Sequence, residues 1–384
     1  MKNLAKFMMI SVTCLLCSCG EGGNPSSAQA PAMTALWSAP VNGAFKTFSN
    51  NGKLVGLVDW TDTLTLTAFD PKQRKILWKS QPHAPLGLDN NFVVGNSVVY
   101  YMVPNGNLEV YDLETGNILK SLPPPTGTTF KTGGLGAYQK IINNKLIINA
   151  DDEVLIVYDI SIPNSPKLLW VRQSNDAGFP RATDGDTNAI YLAASVKGND
   201  YLTALNPETG ETIWRQPDLY PENRGALSIR VSGNGLYVVG SDHSMHAFDT
   251  KTGRKLWAID DTWRKDCDGA ISEVYELLVT PDTLYASPNS GVCVWAVNLK
   301  DGQIKWAMSA AKYGYPYTFG GTPILVNGVI YAMNTRLWAI DAQTGEVLGL
   351  SKEVDKNWVV SKPQFINGEI IAWGINAAGF KPVR

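Results

Sequence analysis

The sequence predicts an all-β fold, namely an eight-bladed β-propeller of four-stranded antiparallel blades. Three observations predict it: a short phrase that recurs along the chain, a spacing of 42–49 residues between its copies, and alternation of apolar and polar residues around each copy. The phrase is clearest in ALNPETGETIW from Ala204 and AFDTKTGRKLW from Ala247. A repeat of this length with strand-like alternation is typical of propeller blades.

Each copy of the phrase predicts a β-hairpin. Aligned on an acidic or amide residue, the copies begin at Asp70, Asp112, Asp159, Asn206, Asp249, Asn298 and Asp341. Such a side chain accepts hydrogen bonds from backbone N–H groups in the following turn. A glycine four residues later, present in five copies, supplies the left-handed residue that reverses the chain. We call these seven residues the anchors.

A tryptophan stands in the second strand of most hairpins, and Lys120 and Gly349 take its place in two of them. Because a large flat side chain at a repeated position suits the face of a neighbouring sheet, we interpret this series as blade packing and not as ligand cages. The series comprises Trp37, Trp78, Trp170, Trp214, Trp257 and Trp306.

The eighth blade is predicted to combine both ends of the chain. After the seventh hairpin, residues 361–384 supply only three strands. The segment ALWSAPV, residues 35–41, resembles a fourth strand and carries Trp37. Joining the two ends closes the ring and removes exposed sheet edges. We therefore assign residues 34–384 to one propeller, which we expect to be monomeric within a larger complex.

The N-terminus resembles a bacterial lipoprotein signal. A basic start precedes ten apolar residues, too few to span a bilayer but suitable for a signal peptide. The following LCSC predicts a signal peptide over residues 1–18 and lipidation of Cys19. Residues 19–33 are small and polar and predict a flexible tether. A formal net charge of −2 argues against a nucleic-acid partner.

Two further cysteines lie near the predicted sixth blade. Cys267 lies in the loop that leads into it, and Cys293 lies near the start of its third strand. Both places belong to the same face of a propeller, and an oxidising compartment would permit a disulfide between them.

The phrase A-x-[DN]-x-x-[TD]-G-x-x-x-W resembles the PQQ-like propeller repeat, a family that includes quinoprotein dehydrogenases and BamB-type outer-membrane assembly lipoproteins. The lipoprotein signal, tether and eight blades favour the BamB type. The resemblance implies a non-catalytic scaffold on the periplasmic side of the outer membrane, which binds the β-barrel assembly machinery. It also implies partner contacts at Arg224, Gly225 and Glu273, while Tyr275 stands where the family has a second acid.

No motif for catalysis, a cofactor or a metal emerges from the sequence. Quinoprotein relatives commonly carry adjacent cysteines and a calcium site, and this chain has no adjacent cysteine pair. The nearest carboxylate clusters, residues 149–153 and 184–187, are interpreted as turns, and His83, His243 and His246 lack companion ligands. We therefore expect no cofactor, no metal and no enzymatic activity.

Two alternatives remain open at this point. The first is an envelope or surface lipoprotein whose propeller binds a carbohydrate, a peptide or another polymer. Aromatic residues outside the packing series would form its site: the loop KYGYPYTF at residues 312–319, with Trp60, Trp263, Trp295, Trp338, Trp358 and Trp373. The second is a quinone-dependent or other oxidoreductase. A single concave aromatic site would favour the first alternative over a scaffold.

Overall fold

The computed structural model describes residues 28–41, 47–58, 65–82, 92–103, 106–130, 138–150, 154–173, 179–196, 199–217, 226–240, 244–260, 275–288, 292–315, 319–354, 362–374 and 376–384. They form 33 strands in eight sheets and one short 3₁₀ helix, Ala310–Tyr313. The predicted eight-bladed propeller of four-stranded antiparallel blades is confirmed. Within the described ranges, no helix is long and apolar enough to cross a membrane.

The blades follow one another along the chain. Blade 1 contains β3 (Thr47–Asn50), β4 (Lys53–Val58), β5 (Thr65–Asp70) and β6 (Lys75–Lys79). Blade 2 contains β7 (Phe92–Val94), β8 (Val98–Met102), β9 (Leu108–Asp112) and β10 (Ile118–Leu122). Blade 3 contains β11 (Tyr138–Ile142), β12 (Lys145–Ala150), β13 (Val154–Asp159) and β14 (Lys167–Gln173). Blade 4 contains β15 (Phe179–Gly185), β16 (Ile190–Val196), β17 (Asn199–Leu205) and β18 (Thr212–Gln216).

The second half has the same arrangement. Blade 5 contains β19 (Ala226–Ser232), β20 (Gly235–Gly240), β21 (Met245–Asp249) and β22 (Lys255–Ile259). Blade 6 contains β23 (Tyr275–Val279), β24 (Thr283–Pro288), β25 (Cys293–Asn298) and β26 (Ile304–Ser309). Blade 7 contains β27 (Gly320–Val326), β28 (Val329–Met333), β29 (Leu337–Asp341) and β30 (Val347–Ser351). Blade 8 contains β31 (Gln364–Ile366), β32 (Glu369–Trp373), β33 (Asn376–Phe380) and β2 (Ala35–Pro40).

Blade 8 closes the ring by pairing the two ends of the chain. Strand β2 is antiparallel to β33, and Ala39 lies opposite Ala377. The preceding strand, β1 (Ala32–Met33), joins blade 7 as a fifth strand, parallel to β30. Residues 28–33 of the predicted tether therefore lie docked on the propeller. Gly349 on β30 provides the room for this strand, because it leaves space for the Met33 side chain.

The anchors stabilise their turns through their side chains. In blade 5, Oδ1 of Asp249 accepts the N–H groups of Lys251 at 3.1 Å and of Thr252 at 2.9 Å. Four residues after the anchor, Gly253 has a φ of +69°, which side chains of L-residues rarely adopt. Asn206 replaces the acid in blade 4 and accepts the N–H groups of Glu208 and Thr209 in the same way.

The tryptophans connect neighbouring blades. Nε1 of Trp78, Trp170, Trp214, Trp257 and Trp306 donates to the carbonyl oxygen of the residue after the next blade's anchor, over 2.8–3.1 Å. The same indoles lie against the turn glycine of that blade, where a Cβ would lie within 2.6–2.8 Å of ring atoms. Each tryptophan therefore fits the turn of the following blade and leaves no room for a side chain there.

Where the repeat lacks the tryptophan or the turn glycine, a different contact occurs at that blade interface. Blade 2 has Lys120 where the tryptophan would stand, and the turn of blade 3 has Pro163 where the glycine would stand. There the Tyr100 hydroxyl donates to the Pro163 carbonyl oxygen at 2.8 Å. At the ring closure Trp37 instead donates to Glu369 Oε2 at 2.7 Å, and the Arg74 guanidinium lies 5.7 Å from the indole centroid.

Candidate functional site

One face of the propeller carries the segments that lead from the outermost strand of a blade to the first strand of the next. The four strands of blades 1 to 7 are paired in chain order, and in blade 8 β2 takes the outermost place after β31, β32 and β33, so all these segments open on the same side. We call this side the connection face. Its described residues include 80–82 between blades 1 and 2, 123–130 between blades 2 and 3, 310–315 between blades 6 and 7, and 352–354 between blades 7 and 8.

The chain positions of the partner residues predict that they lie on this face. Arg224, Gly225 and Glu273 lie outside the described residues. Tyr275 is the first residue of β23, and its backbone pairs with Pro288 on β24. It therefore stands at the end of the connection that enters blade 6, and its side chain is outside the described part of the structure.

Only one of the two cysteines that we predicted to pair is among the described residues. Cys293 opens β25, is 1% exposed and is disulfide-bonded. Cys267 lies outside the described residues, so the pairing of these two cysteines stays a prediction. Of the other predicted positions, Cys19 also lies outside the described range.

The aromatic loop between blades 6 and 7 packs onto a buried tryptophan. The ring centroids of Tyr313, Tyr315 and Phe319 lie 5.8–5.9 Å from that of Trp338, all in edge-on orientation. Trp338 is completely buried, and its Nε1 donates to Asn334 Oδ1 at 2.9 Å. These contacts fix the start and end of the loop against blade 7.

Several aromatics considered for polymer binding are core residues. Trp295, Trp338 and Trp373 are all at most 2% exposed and cannot present a ring to a ligand. Trp60, Trp263 and Trp358 lie outside the described residues. Of the described residues in that predicted aromatic set, the tyrosines of the connection between blades 6 and 7 are therefore the ones that reach solvent.

A cavity of about 710 Å³ opens beside these tyrosines, between blade 7, blade 8 and residues 28–35. Tyr313 and Tyr315 form one wall, and Arg336 and Lys352 bring positive charge to it. The Arg336 guanidinium carbon lies 4.5 Å from the Tyr315 ring centroid, and Nη1 donates to the Ser351 carbonyl oxygen at 3.0 Å. This geometry holds a planar cation at the cavity wall, where an anionic or aromatic group could contact it.

The sequence indicated only part of this cavity. The loop of residues 312–319 stood out through its aromatic content, whereas Arg336 and Lys352 carried no pattern. Arg336 follows Asn334 in the turn between β28 and β29, and Asn334 Oδ1 accepts its backbone N–H at 2.8 Å. The Asn-x-Arg spacing is therefore the local signal for an arginine held in a turn, but it gives no sign of the tyrosine beside it.

The inner strands carry a chain of polar contacts around the axis. Lys140 of β11 forms an ion pair with Asp184 of β15, and Asp184 Oδ2 accepts the Val231 N–H of β19 at 2.8 Å. From the same strand, Arg230 Nε donates to the Leu277 carbonyl oxygen of β23 at 3.1 Å. These contacts join blades 3, 4, 5 and 6. They also involve the carboxylate of Asp184, which belongs to the cluster at residues 184–187 that we interpreted from the sequence as a turn.

The described residues do not contain a metal site made by three or more His, Cys, Asp or Glu side chains. A cation that accompanies a quinone would need such oxygen ligands. Asp184, the buried acid on the inner strands, instead faces Lys140 and a backbone N–H.

Comparisons with known proteins agree with the repeat. Over 209 residues the chain is 26% identical to outer membrane protein assembly factor BamB of Shewanella oneidensis, covering 50% of this chain and 48% of that protein. Over 155 residues it is 29% identical to the quinoprotein ethanol dehydrogenase of Pseudomonas aeruginosa, covering 35% of this chain and 24% of that protein. The chain thus spans less than half the length of both curated relatives.

A solved structure and a family model complete the comparison. The crystal structure of BamB from Moraxella catarrhalis superposes with a TM-score of 0.63 over 91% of this chain and 100% of that chain; its 15% identity shows the fold alone. Residues 151–372, more than half of the chain, match the family model described as "Outer membrane protein assembly factor BamB". The predicted resemblance is confirmed, and the chain belongs to this BamB family of PQQ-like propellers.

Proposed function

We propose that this chain is a non-catalytic scaffold of the cell envelope that assists outer-membrane protein assembly. In this proposal Cys19 carries a lipid anchor on the periplasmic side of the outer membrane. The connection face binds the β-barrel assembly machinery through Arg224, Gly225 and Glu273. The observation that carries the proposal is the family match over residues 151–372, which includes the predicted partner loops.

The fold suits this role in a physical sense. A ring of closely fitted blades is a rigid platform, because five indoles pack against the turn glycine of the next blade. Such a platform holds the strand ends that border one face at fixed distances from one another. Binding then loses little conformational freedom in the propeller itself.

The experiment that tests the proposal is affinity purification of the full-length protein from its own envelope, with mass spectrometry of the proteins that co-purify. Wild type is compared with Arg224→Glu. Arg254→Glu is the matched control, because Arg254 lies in the hairpin between β21 and β22, on the opposite face. We expect barrel-assembly proteins with wild type and with the control, and a loss of at least tenfold with Arg224→Glu.

Three results would contradict parts of this proposal. Equal recovery of barrel-assembly proteins with all three proteins would show that Arg224 does not contribute to the contact. Absence of barrel-assembly proteins from the wild-type sample would reject the function itself. Alcohol oxidation by wild type after addition of a quinone and calcium would reject the non-catalytic assignment and favour the quinoprotein relatives.

The cavity beside Tyr315 favours a second candidate function, an envelope protein that binds a peptide or carbohydrate. A cavity of about 710 Å³ lies within the size range of small-ligand sites. Peptide and glycan arrays probed with wild type and Tyr315→Ala test this candidate. Specific binding lost in Tyr315→Ala supports it, and binding unchanged by the substitution rules out this cavity.

A further inference from the structure

Residues 28–33 form a strap that connects the propeller to the N-terminal part of the chain. The Leu350 N–H donates to the Pro31 carbonyl oxygen at 2.8 Å, and Ala32 and Met33 lie opposite Leu350 and Ser351. At the start of the strap the Ala28 N–H donates to the Lys312 carbonyl oxygen at 3.2 Å. Ala30 packs against the cluster that contains Trp338. The strap is thus fixed at both ends.

Blade 7 has a position that accommodates the strap. Gly349 stands where other hairpins have the blade-packing tryptophan, and a Cβ there would lie 2.6 Å from Met33 Cγ. Met33 is only 8% exposed, so its side chain occupies the space that the missing indole leaves. The departure of blade 7 from the repeat therefore has a structural consequence: the outer strand is left open to a strand from the N-terminus.

The strap also determines where the chain leaves the propeller. Lys312 belongs to the connection between blades 6 and 7, so Ala28 lies at the edge of the connection face. Eight residues lie between Cys19 and Ala28, and the nine residue steps span at most about 32 Å at 3.3–3.6 Å per step. A lipid on Cys19 would hold this edge of the connection face within that distance of the bilayer.

The charge near the exit of the strap is complementary to an anionic surface. Lys312 and Lys352 are exposed, and Arg336 is half-buried at the wall of the adjoining cavity. Glu353 is the acid beside them. Basic residues close to a bilayer are attracted to anionic headgroups over about a Debye length.

From the strap, its exit and this charge we propose that residues 28–33 orient the propeller on the membrane. The strap turns the connection face at blades 6 and 7 toward an anionic lipid surface, with Lys312 and Lys352 nearest the headgroups. The inference rests on the lipid anchor of the proposed function. It adds that the orientation is determined by docking of the strap and is lost when the strap is released.

Docking of the strap is tested first, without lipid, by hydrogen exchange of the Leu350 amide. Gly349→Trp restores the repeat and should displace Met33. Lys120→Trp is the matched control, because it restores the tryptophan in blade 2, whose sheet has no fifth strand among the described residues. We expect exchange at Leu350 to become at least tenfold faster in Gly349→Trp and to stay unchanged in Lys120→Trp. Fast exchange of the Leu350 amide in wild type would show that the strap is not docked.

Because the indole lies next to Leu350, a second variant separates displacement from local disturbance. Met33→Asp changes only the strap, and the burial of a carboxylate beside Gly349 disfavours docking. It should accelerate exchange at Leu350 to a similar extent. Protection that persists in both variants would show that Leu350 is protected by something other than the strap.

Orientation is then measured by energy transfer to acceptor-labelled vesicles of phosphatidylglycerol and phosphatidylethanolamine. The natively processed protein carries a fluorescent amino acid either at Ala311, an exposed residue next to Lys312, or at Asn367, which lies in the β31–β32 turn on the opposite face. We expect stronger transfer from position 311 in wild type, and equal transfer from both positions in Gly349→Trp. Equal transfer in wild type, or a difference that survives Gly349→Trp, would overturn the orientation.

The two proposals fail in different ways. If the native protein does not bind vesicles, the lipid anchor is rejected and the orientation with it, whereas the exchange result at Leu350 still decides whether the strap docks. If the protein binds vesicles but shows no preferred face, the anchor stands and the orienting strap is rejected.

Discussion

Trp214 of blade 4 and Gly253 of blade 5 are fitted to each other across the blade interface. The indole lies so close to Gly253 that an added Cβ would be 2.7 Å from its Cε3 atom. Its Nε1 donates to the Thr250 carbonyl oxygen, one residue after the anchor Asp249, at 2.9 Å. The glycine thus serves two purposes, since it adopts a positive φ and it leaves room for the ring.

The first prediction separates these two roles of the glycine. Gly253→Ala adds both an unfavourable φ and a clash with Trp214, whereas Gly328→Ala adds an unfavourable φ of +76° with no atom within 4 Å of the new Cβ. We expect Gly328→Ala to lower the free energy of unfolding by about 1–2 kcal/mol. Gly253→Ala should lower it by about 1–3 kcal/mol more. Urea unfolding of both variants measures the difference.

Equal losses in the two variants would contradict this account, because they would assign the whole cost to the backbone. Trp214→Phe with Gly253→Ala provides a further check. The smaller ring should relieve part of the clash, so the double variant should be more stable than the sum of the two single losses implies.

The second prediction concerns the ring closure. Trp37 Nε1 donates to Glu369 Oε2 within blade 8, and no turn glycine faces this indole in blade 1. Glu369→Ala should lower the free energy of unfolding by about 1.5–3 kcal/mol, the usual loss for a hydrogen bond to a charged group. Glu369→Gln should lose less, because its amide oxygen still accepts the bond. Thermal unfolding measures both variants.

Glu346→Ala is the control for this prediction, since Glu346 is exposed in the hairpin of blade 7. Its melting temperature should stay within error of wild type. A similar loss for Glu346→Ala and Glu369→Ala would show that the effect comes from net charge and not from the Trp37 contact.

The architecture could be predicted from the sequence because its signal is local and repeated. An anchor, a turn glycine and a tryptophan lie within about ten residues, and seven copies fix the blade number and the closure of the ring. The matched exceptions were visible as departures at Lys120 and Gly349. Their consequences were not, because Met33 and Gly349 are far apart in sequence and share no motif.

Exposure of the remaining aromatics could not be predicted for a different reason. A strand in a two-layered protein alternates between core and solvent, but a blade is covered on both faces by its neighbours. Strand β29 is accordingly buried at all five positions, Trp338 included. Period-two alternation therefore located the strand but could not show whether its tryptophan faces a ligand or the core.

The third prediction concerns acid. The Thr252 hydroxyl and backbone N–H donate to the Asp249 carboxylate and hold its pKa below the ordinary value. A carboxylate with a lowered folded-state pKa stabilises the fold above its unfolded pKa, near 3.9, and this stabilisation is lost as the pH falls through the folded-state pKa. Asp249→Asn should therefore be less stable than wild type at pH 7, with a smaller deficit at pH 2–3.

The reciprocal variant is Asn298→Asp, at an anchor that does not titrate in wild type. It should gain stability relative to wild type between pH 3 and pH 7, as Asp249→Asn loses it. Urea unfolding at several pH values measures both effects. A difference from wild type that is independent of pH in both variants would contradict the assignment of the pKa shift to the turn.

The last prediction is the partner of Cys293. Cys293 is buried and disulfide-bonded, and the face on which β25 begins is the face of the connection that contains Cys267. Peptide mapping without reduction should recover the two residues in one cross-linked species.

Cys267→Ser should lower the free energy of unfolding by about 3 kcal/mol, because the bridge closes a loop of roughly 25 residues. Cys267→Ser with Cys293→Ala should lose little more than the single variant, since the bridge is already absent. A Cys293 peptide linked to any other cysteine would contradict the pairing, and a large further loss in the double variant would show that packing of Cys293, and not the bridge, stabilises blade 6.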